Sequence, residues 1–463
     1  NDRAAELASK PVIIRDVMLN NNLRNDGINI STRGGVTLAN IQVIDNYYEG
    51  VSLFKYTGAG NILLTNVTAD GNMYGIDITA SSTVPRYNNV TLINVSASNN
   101  DGFGISVGAN GTITWTGGAV LNNSKTMVQN NVSLQNYDHV SPAAPFGVKV
   151  SNVTINNPLG YGLYVSSYGA VTLSGVTARD HLDYNAYLYT CGGSSNTTCV
   201  NTYLAPVTVL KSTLTGTHGS TGYSGLMIRA SGAVILSGVI ANNNTGRGTY
   251  INNRIGTLLA KPVTISSSTF NNNSQGVFIA SDGAIMLANI TASLNRTWDG
   301  VYITNEYALT LQPVTISGVN NFNANKYNGI FVKSRGVISV SGVRASTNEQ
   351  MGIELISTAS GVKVLNSLVE GNWKTGVDIL AAGSVYVNNL NSFYNGLSGY
   401  IGLRIDARTS PGVPAFVTIS NSNILGNNTY GIMLYVNAPY ASNYKLINVA
   451  AFGNLLQDFY VSE

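Results

Sequence analysis

The chain has 463 residues, of which 10% are charged and 44% are hydrophobic. It contains 25 Lys and Arg residues against 22 Asp and Glu residues, which gives a formal net charge of +3. This composition excludes a disordered chain and offers no basic surface for a nucleic acid. No apolar run approaches the roughly 20 residues that cross a bilayer, so no membrane span is expected. The few charges and the many Asn, Ser, Thr and Tyr residues suggest a secreted, extracellular or cell-surface protein.

The first predicted element is a short N-terminal cap or linker over residues 1–10, and a repetitive region follows over 11–463. In that region a phrase of Gly, aliphatic, any residue and aliphatic recurs about fifteen times. It first appears as Gly27-Ile28-Asn29-Ile30 and last as Gly431-Ile432-Met433-Leu434. Apolar residues at every second position predict short strands with one buried face.

A second phrase alternates with the first, as in Val36-Thr37-Leu38-Ala39-Asn40-Ile41. Its fifth place is nearly always Asn or Gly, the residues that best tolerate a positive φ. We therefore predict one bend per repeat at this place. The predicted bend residues are Asn40, Asn66, Asn94, Asn152, Gly175, Gly238, Asn289, Gly318, Gly342, Asn366, Asn389, Asn421 and Asn448.

A further regularity is an Asn four residues before the repeat Gly in many units. If each unit is one turn of a solenoid, these amides form a column and hydrogen-bond from turn to turn. The predicted column contains Asn46, Asn100, Asn244, Asn272, Asn325, Asn348, Asn372 and Asn427.

The register of the repeats is poor at about 111–147 and 180–205, where long loops are expected to leave the turns. The second of these segments carries the two cysteines of the chain, Cys191 and Cys199. They lie in a polar stretch with no His or further Cys nearby, so a loop disulfide is favoured over a metal site. A disulfide in turn indicates an oxidising compartment, while a pair of free thiols is the alternative.

Repeats of 20 to 30 residues made of short strands and bends are typical of a parallel β-helix. In this respect the chain resembles the right-handed parallel β-helix superfamily, which includes pectate lyases, polygalacturonases, phage tailspikes and bacterial surface adhesins. The resemblance implies an all-β fold, a single right-handed solenoid of about sixteen turns with a few long loops. It does not fix a function, because this scaffold carries enzymes, binding proteins and fibres.

The polygalacturonase motifs Asn-Thr-Asp, Asp-Asp and Arg-Ile-Lys are absent from the sequence, as is the calcium-binding Gly-Gly-x-Gly-x-Asp repeat. Thr217-His218-Gly219 is an isolated echo of a histidine motif, and Asp180, His181 and Asp183 are most simply loop residues. We therefore expect no metal and no cofactor.

The third residue of the Gly phrase points away from the core. Its successive occupants predict an outward column of side chains: Asn29, Ser52, Asp77, Ser106, Lys149, Tyr164, Tyr187, Met227, Tyr250, Phe278, Tyr302, Phe331, Glu354, Asp378, Arg404 and Met433. Two stretches of this column are candidate sites. The aromatic stretch contains Tyr164, Tyr187, Tyr250, Phe278, Tyr302 and Phe331. It lies under a loop, packs against a neighbouring molecule or stacks on sugar rings.

Glu354, Asp378 and Arg404 fall on three successive turns. Two carboxylates about 5 Å apart at the backbone lie within the range of a retaining glycosidase pair. The alternative interpretation is a charge-compensated surface column. The preferred hypothesis assigns no catalytic residue, and Glu354, Asp378 and Arg404 are the candidates only if the protein is an enzyme acting on polysaccharides.

The ends of a β-helix expose unpaired strands, which other solenoids cover with caps. Asp458-Phe459-Tyr460-Val461 is a variant of the repeat phrase without a cap after it. The sequence thus favours head-to-tail association of copies through Ile13, Ile14, Phe459, Tyr460 and Val461. The resulting hypothesis is a non-catalytic structural or adhesive β-helix of a cell surface that forms a fibre. A polysaccharide-active enzyme and a carbohydrate-binding module are the alternatives.

Overall fold

The computed structural model describes residues 10–55, 60–80, 88–124, 129–136, 146–191, 204–219, 223–255, 260–397, 399–407, 415–436 and 443–462. The predicted N-terminal cap, apart from Lys10, lies outside these residues. The chain divides into two units. Unit 1 contains the residues up to Ala233 together with Asn244–Gly246, and unit 2 contains Val234–Asn243 and the residues from Arg247 onward.

The strands of both units form because aliphatic side chains alternate with polar or aromatic ones. Val301 and Ile303 are fully buried, whereas Tyr302 between them points outward and is half-buried. Stacked neighbours repeat this pattern in register, with Val301 beside Ile330 and Ile303 beside Val332. Burial of one aliphatic row per turn builds a continuous core inside each unit and stabilises the parallel pairing.

Unit 1 contains strands β1 (Val12–Asn20), β2 (Ile28–Thr32), β3 (Val36–Ile44), β4 (Glu49–Lys55), β5 (Ile62–Asp70), β6 (Tyr74–Ala80), β7 (Val90–Ile93), β8 (Ser96–Ser98), β9 (Ile105–Ala109), β10 (Ile113–Thr116), β11 (Ala119–Leu121), β12 (Asn130–Asn136), β13 (Val148–Ser151), β14 (Thr154–Asn156), β15 (Tyr161–Ser166), β16 (Val171–Ser174), β17 (Thr177–Arg179), β18 (Ala186–Tyr189), β19 (Val207–Leu210), β20 (Thr213–Thr215) and β21 (Ser224–Arg229). One parallel sheet contains β2, β4, β6, β9, β12, β15, β18 and β21, and the other strands form a second parallel face.

Unit 2 contains strands β22 (Val234–Ser237), β23 (Arg247–Asn253), β24 (Val263–Thr269), β25 (Gln275–Ser281), β26 (Ile285–Thr291), β27 (Val301–Asn305), β28 (Val314–Ser317), β29 (Asn320–Asn321), β30 (Ile330–Ser334), β31 (Ile338–Ser341), β32 (Val343–Ser346), β33 (Ile353–Ser357), β34 (Val362–Glu370), β35 (Val377–Ala381), β36 (Val385–Phe393), β37 (Leu403–Asp406), β38 (Val417–Leu425), β39 (Tyr430–Tyr435), β40 (Tyr444–Phe452) and β41 (Gln457–Ser462). One parallel sheet contains β23, β25, β27, β30, β33, β35, β37, β39 and β41.

These strands confirm the predicted all-β parallel β-helix, with about 15 turns among the described residues. The predicted departure from the turns over 111–147 is wrong for its first part. There β10 pairs in parallel with both β7 and β13, and β11 pairs with both β8 and β14. In the described part of the chain, no helix combines the length and the hydrophobicity that a membrane span requires.

The predicted bends are confirmed at every position. All thirteen predicted residues have a positive φ, between 46° at Asn366 and 78° at Gly318. The bend amides also bond to one another on the surface, as where Asn66 Nδ2 donates to Asn40 Oδ1 over 3.0 Å. The sharp change of direction at these residues separates one sheet face from the next.

The predicted column of buried asparagines is present in both units. In unit 2 it runs through Asn295, Asn325, Asn348, Asn372, Asn395, Asn427 and Asn454, with each Nδ2 donating to the Oδ1 of the next residue over 2.8–3.3 Å. In unit 1 Asn46, Asn72, Asn100 and Asn123 are linked in the same way. The prediction is wrong for Asn272, which is a surface bend residue with a φ of 55°, because its neighbour Asn273 points into the column instead.

Candidate functional site

The outward column of unit 2 begins with four aromatic rings on adjacent strands. Tyr250, Phe278, Tyr302 and Phe331 are register partners on β23, β25, β27 and β30. Their ring centroids are 5.1, 5.2 and 4.8 Å apart, and successive planes are inclined by 7°, 4° and 16°. The rings therefore lie face to face and present their edges, half-buried, to the outside.

The three charged residues of the column follow on the next strands in the predicted register. Glu354 lies beside Phe331 on one side and beside Asp378 on the other, and Arg404 lies beside Asp378. Arg404 Nη1 contacts the two carboxylate oxygens of Asp378 at 2.9 and 3.1 Å. Glu354 instead accepts a hydrogen bond from Asn328 Nδ2 over 2.8 Å. The structure thus separates the two carboxylates chemically, since Asp378 has an ion-pair partner and Glu354 has an amide.

A second row, the pre-glycine row, contains the residues that immediately precede the repeat Gly, namely Arg247, Gln275, Asp299 and Asn328. Arg247 Nε donates to Gln275 Oε1 over 3.0 Å, and Gln275 Nε2 reaches Asp299 Oδ2 at 3.4 Å. The amide N–H of Asn328 donates to Asp299 Oδ1 over 3.2 Å. Asn328 therefore bonds to both Asp299 and Glu354, and sequence reasoning on the outward column missed Asp299 altogether.

The two rows border a groove of about 420 Å³ in unit 2. Its sides carry Trp298 and Tyr327, which are 52% and 42% exposed and whose rings lie 6.1 Å apart at 58°. The groove also borders Arg247, Gln275, Asp299 and Glu354 together with the rings of Phe278, Tyr302 and Phe331. Arg247 covers part of the stack, with its guanidinium carbon 5.0 Å from the Phe278 ring centroid.

Burial changes the titration of both groove carboxyls. Loss of solvent is the main reason that the pKa of Asp299 rises from 3.8 to about 7, and the negative charge of Glu354 adds to the rise. Burial also raises the pKa of Glu354, as does the charge of Asp378, whereas the hydrogen bond from Asn328 lowers it. The groove therefore contains two carboxyls with raised pKa values beside exposed aromatic faces, a combination that is common at functional sites.

Unit 1 contains the other predicted aromatic residues, Tyr164 and Tyr187, on β15 and β18. Their rings meet edge to face, 5.6 Å apart at 75°. They line a depression of about 470 Å³ with Phe103, Tyr161 and Tyr184. Tyr184 donates its hydroxyl proton to Asn130 Oδ1 over 2.5 Å, and burial raises its pKa. This tyrosine cluster has no carboxyl pair like that of unit 2 among its described lining residues.

The prediction that Lys149 belongs to the outward column is wrong. Lys149 lies on β13, whose partners are β10 and β16, so it belongs to the other face of unit 1. Ser133 of β12 occupies the place between Ser106 and Tyr164. The phrase Gly147-Val148-Lys149-Val150 mimics the repeat because both strand types alternate aliphatic residues.

The residues predicted for end-to-end contact lie on β1 and β41. Ile13 is 57% exposed and is the register partner of Thr37, so it points outward, while Ile14 faces the core beside Leu38. Phe459, Tyr460 and Val461 pair with Ile432, Met433 and Leu434. Tyr460 is thereby the last member of the outward column in the described part of the chain.

Cys191 is 3% exposed and is not a free cysteine. Cys199 lies outside the described residues, so the disulfide between the two stays a prediction. His181 is fully buried and bonds through Nδ1 to Asn185 Oδ1 over 2.7 Å, and its pKa falls to about 4 because of burial. Within the described ranges, no group of three or more His, Cys, Asp or Glu side chains is arranged to hold a metal ion.

A family model described as a right handed beta helix region matches residues 143–298 and again 299–455. The chain belongs to this right-handed β-helix family. The resemblance inferred from the repeats is thus confirmed at the level of the family and its fold. A comparison with curated protein sequences gives no significant match.

Solved structures with similar folds include a double mutant of the periplasmic alginate epimerase AlgG, with 12% identity, a TM-score of 0.34 and coverage of 95% of this chain and 85% of that one. Tailspike protein 3 of bacteriophage CBA120 has 12% identity, a TM-score of 0.37 and coverage of 91% and 57%. The A-module of the mannuronan C-5 epimerase AlgE4 of Azotobacter vinelandii has 12% identity, a TM-score of 0.35 and coverage of 81% and 88%. Likeness at this level carries no argument about function.

Proposed function

We propose that this β-helix protein binds a polysaccharide in the groove of unit 2. The observation that carries the proposal is the pair of exposed rings, Trp298 and Tyr327, beside a row of hydrogen-bonding side chains. Sugar rings bind to proteins through apolar C–H faces that stack on aromatic rings and through hydroxyls that bond to polar groups. The groove offers both kinds of contact along one line.

The aromatic rings that border the groove have two different roles, which follow from their geometry. Phe278, Tyr302 and Phe331 cover one another face to face, so the stack forms an apolar floor and leaves only edges for a ligand. Trp298 and Tyr327 are tilted relative to each other and more than two fifths exposed. They are therefore the rings that offer a face to a sugar.

Polar partners for the hydroxyls come from the pre-glycine row. Arg247 uses its Nε–H on Gln275, and a guanidinium carries five N–H donors, so several remain for a ligand. Glu354 accepts one hydrogen bond from Asn328, and a carboxylate has further acceptor capacity. Donors and acceptors at both ends of the groove suit a ligand with many hydroxyls.

The test is a glycan array followed by affinity electrophoresis in gels that contain the bound polysaccharide. We expect Trp298→Ala and Tyr327→Ala each to weaken binding about tenfold, equivalent to about 1.4 kcal/mol. Trp373→Ala is the matched control, because Trp373 is 51% exposed but does not line the groove. Equal retardation of all variants, or no binding to any glycan by the wild type, would contradict the proposal.

We also propose that the protein works outside the cytoplasm, as a secreted or cell-surface protein. The low share of charged residues and the absence of a free thiol at Cys191 support this location. Mass spectrometry of unreduced peptides should find Cys191 linked to Cys199 in protein isolated from its native source. Recovery of both residues as thiols would remove the support from the cysteines.

The structural or adhesive role, with head-to-tail association, remains a second proposal. It is supported by two apolar side chains close to β41, Leu455 and Leu456, which are 72% and 67% exposed. Sedimentation velocity over a hundredfold range of concentration tests this proposal. We expect the sedimentation coefficient of the wild type to increase with concentration and the Leu455→Ser variant to suppress this increase. A constant value equal to that of the monomer would oppose the proposal.

A further inference from the structure

The outward column of unit 1 contains two small residues directly before its tyrosines. Ser106 on β9 and Ser133 on β12 are register partners, and the next two strands, β15 and β18, carry Tyr164 and Tyr187 at the same place. A serine side chain ends at its hydroxyl, whereas a tyrosine side chain extends a whole ring away from the sheet. This step in size produces the depression of about 470 Å³ that the tyrosine cluster lines.

Aromatic rings stand at both sides of the depression. Phe103 borders it on one side and is stacked on Tyr74, with ring centroids 4.8 Å apart and planes inclined by 19°. On the other side Tyr164 and Tyr187 meet edge to face, so one ring of this pair keeps both of its faces free of its partner. The column of unit 2 differs, because its rings cover one another face to face. Unit 1 therefore leaves aromatic faces that the partner ring does not cover.

The depression also contains hydrogen-bonding groups with remaining capacity. Ser133 Oγ accepts a hydrogen bond from Gln135 Nε2 over 2.9 Å, so its hydroxyl proton can be donated to a ligand. Asn130 Oδ1 accepts the hydroxyl proton of Tyr184, and the same amide carries two N–H donors. Apolar ring faces beside a few polar groups are typical of sites that bind small ligands or single residues of a polymer.

The charges around the depression favour an uncharged ligand. Among the described residues, no charged side chain lines it. Two carboxyls lie next to the lining, where Asp77 accepts a hydrogen bond from Ser106 and Asp183 accepts one from the hydroxyl of Tyr161. Burial raises the pKa of Tyr161, and the charge of Asp183 adds to the rise, so this hydroxyl stays neutral. The nearby carboxyls disfavour an anion, and no lining carboxylate pairs with a cation.

We propose that this depression of unit 1 is a second polysaccharide-binding site and that it takes uncharged sugar residues. A sugar ring lies with its C–H face against a tyrosine ring, and its hydroxyls bond to Ser133 and Asn130. The groove of unit 2 is lined by Arg247 and Glu354 instead, so the two sites differ in the charge of the ligands that they accept. The inference goes beyond the groove, because it holds even if that groove binds nothing.

The test is affinity electrophoresis of the full chain in gels that contain glucomannan, galactomannan or dextran as uncharged probes, with polygalacturonate as the anionic probe. We expect at least one uncharged probe to retard the wild type. Since the lining carries no charge, the retardation should stay constant between about 0.05 and 0.5 M NaCl. The double variant Trp298→Ala and Tyr327→Ala, which removes the exposed rings of the groove, should keep this binding.

Two variants of the depression act in opposite ways on its shape. Ser133→Tyr fills it by placing a ring beside Tyr164, and Tyr164→Ala removes one of its walls. We expect each to weaken binding of the uncharged probe about tenfold or more. Ser52→Tyr is the matched control, because Ser52 occupies the same column on β4 but does not line the depression. Near-ultraviolet circular dichroism verifies that each variant is folded.

The possible outcomes separate the two sites. Unchanged binding by both Ser133→Tyr and Tyr164→Ala, or no retardation by any uncharged probe, overturns the second site. Binding of polygalacturonate that Ser133→Tyr abolishes overturns the assignment of an uncharged ligand. Binding that only the double variant of the groove loses also overturns the second site, while it supports the groove of unit 2.

Discussion

Arg404 and Asp378 are register partners on adjacent strands, and their side chains form an ion pair with Nη1 2.9 Å from Oδ2. The Asp378 side chain is only 12% exposed, whereas that of Arg404 is 37% exposed. Burial raises the pKa of Asp378, and Arg404 opposes that rise. Arg404 therefore favours the ionised form of a largely buried carboxylate.

Loss of the arginine should destabilise unit 2. We expect Arg404→Gln to lower the free energy of unfolding by about 1 to 3 kcal/mol at pH 7, because Asp378 is left as a buried charge. The deficit should shrink in acid, where Asp378 takes up a proton. Denaturant titrations at pH 7 and pH 4 measure both values. The double variant with Asp378→Asn should lose less than the sum of the two single variants, and strict additivity would show that the pair is not coupled.

Replacement of Asp299 should stabilise the protein at high pH, whereas replacement of Arg404 should destabilise it. Its pKa is about 7 in the folded protein and 3.8 when exposed, so the unfolded state ionises first as the pH rises. Folding stability from this group is therefore intact below about pH 4 and is lost progressively up to about pH 7. We expect Asp299→Asn to be more stable than the wild type at pH 8, by up to about 4 kcal/mol, and equal to it near pH 4.

Unfolding by denaturant at the two pH values provides this measurement. A stabilised variant that has lost polysaccharide binding would mark Asp299 as a residue kept for function at the expense of stability. If Asp299→Asn were instead less stable than the wild type at pH 8, the buried carboxyl would be a structural hydrogen-bond acceptor. Its raised pKa would then not lower the free energy of unfolding.

The buried asparagine column of unit 2 should contribute strongly to stability. Asn348 Oδ1 accepts two hydrogen bonds from Asn325, one from the backbone N–H at 2.9 Å and one from Nδ2 at 3.0 Å. Asn348→Ala leaves both donors buried without that acceptor, and we expect a loss of about 2 to 4 kcal/mol. Asn423→Ala on the exposed face of β38 is the control and should cost about 0.5 kcal/mol or less. Thermal unfolding of the two variants side by side decides the matter.

Two bend glycines should differ in their tolerance of a side chain. Gly342 has a φ of 68°, and a Cβ there would lie 2.0 Å from the carbonyl oxygen of Gly318. Gly371 has a φ of 63°, but the nearest atom to its Cβ would be Thr347 Cγ2 at 3.7 Å. Asn tolerates this backbone conformation, so we expect Gly371→Asn to be nearly neutral. Gly342→Asn should lower the melting temperature markedly, and similar melting temperatures for the two variants would contradict this steric argument.

The repeats predict the fold because their signals are local and recur in every turn. Period-two aliphatic residues fix which side of each strand is buried, and Asn or Gly fixes the bends, as the φ of 55° at Asn40 and of 57° at Asn289 confirm. The register of Glu354, Asp378 and Arg404 also follows from the phrase, because parallel neighbours repeat it without a shift.

The sequence patterns did not predict the groove, and the reason is physical. Trp298 and Tyr327 lie in the turns before the strands, where no periodicity fixes the direction of a side chain. Asp299 lies directly before the repeat Gly, and the residues at that place do form a row from Arg247 to Asn328. Reading the pre-glycine residue of each repeat, as well as the third one, would have drawn attention to Asp299. The spacing of the repeats still could not predict the partner of each carboxyl. Glu354 accepts a hydrogen bond from Asn328, whereas Asp378 forms an ion pair.

The asparagine column of unit 2 has a direction, because every side-chain amide donates toward the C-terminal end and every Oδ1 accepts from the preceding turn. Its aligned dipoles add as those of a helix do, which leaves a partial positive charge at the last donor. That donor is Asn454, whose backbone N–H and Nδ2 both bond to Asp458 Oδ1, at 3.3 and 2.8 Å. Asp458 thus occupies the acceptor role of a further asparagine and brings a full negative charge to the positive pole, much as an acidic N-cap residue closes an α-helix.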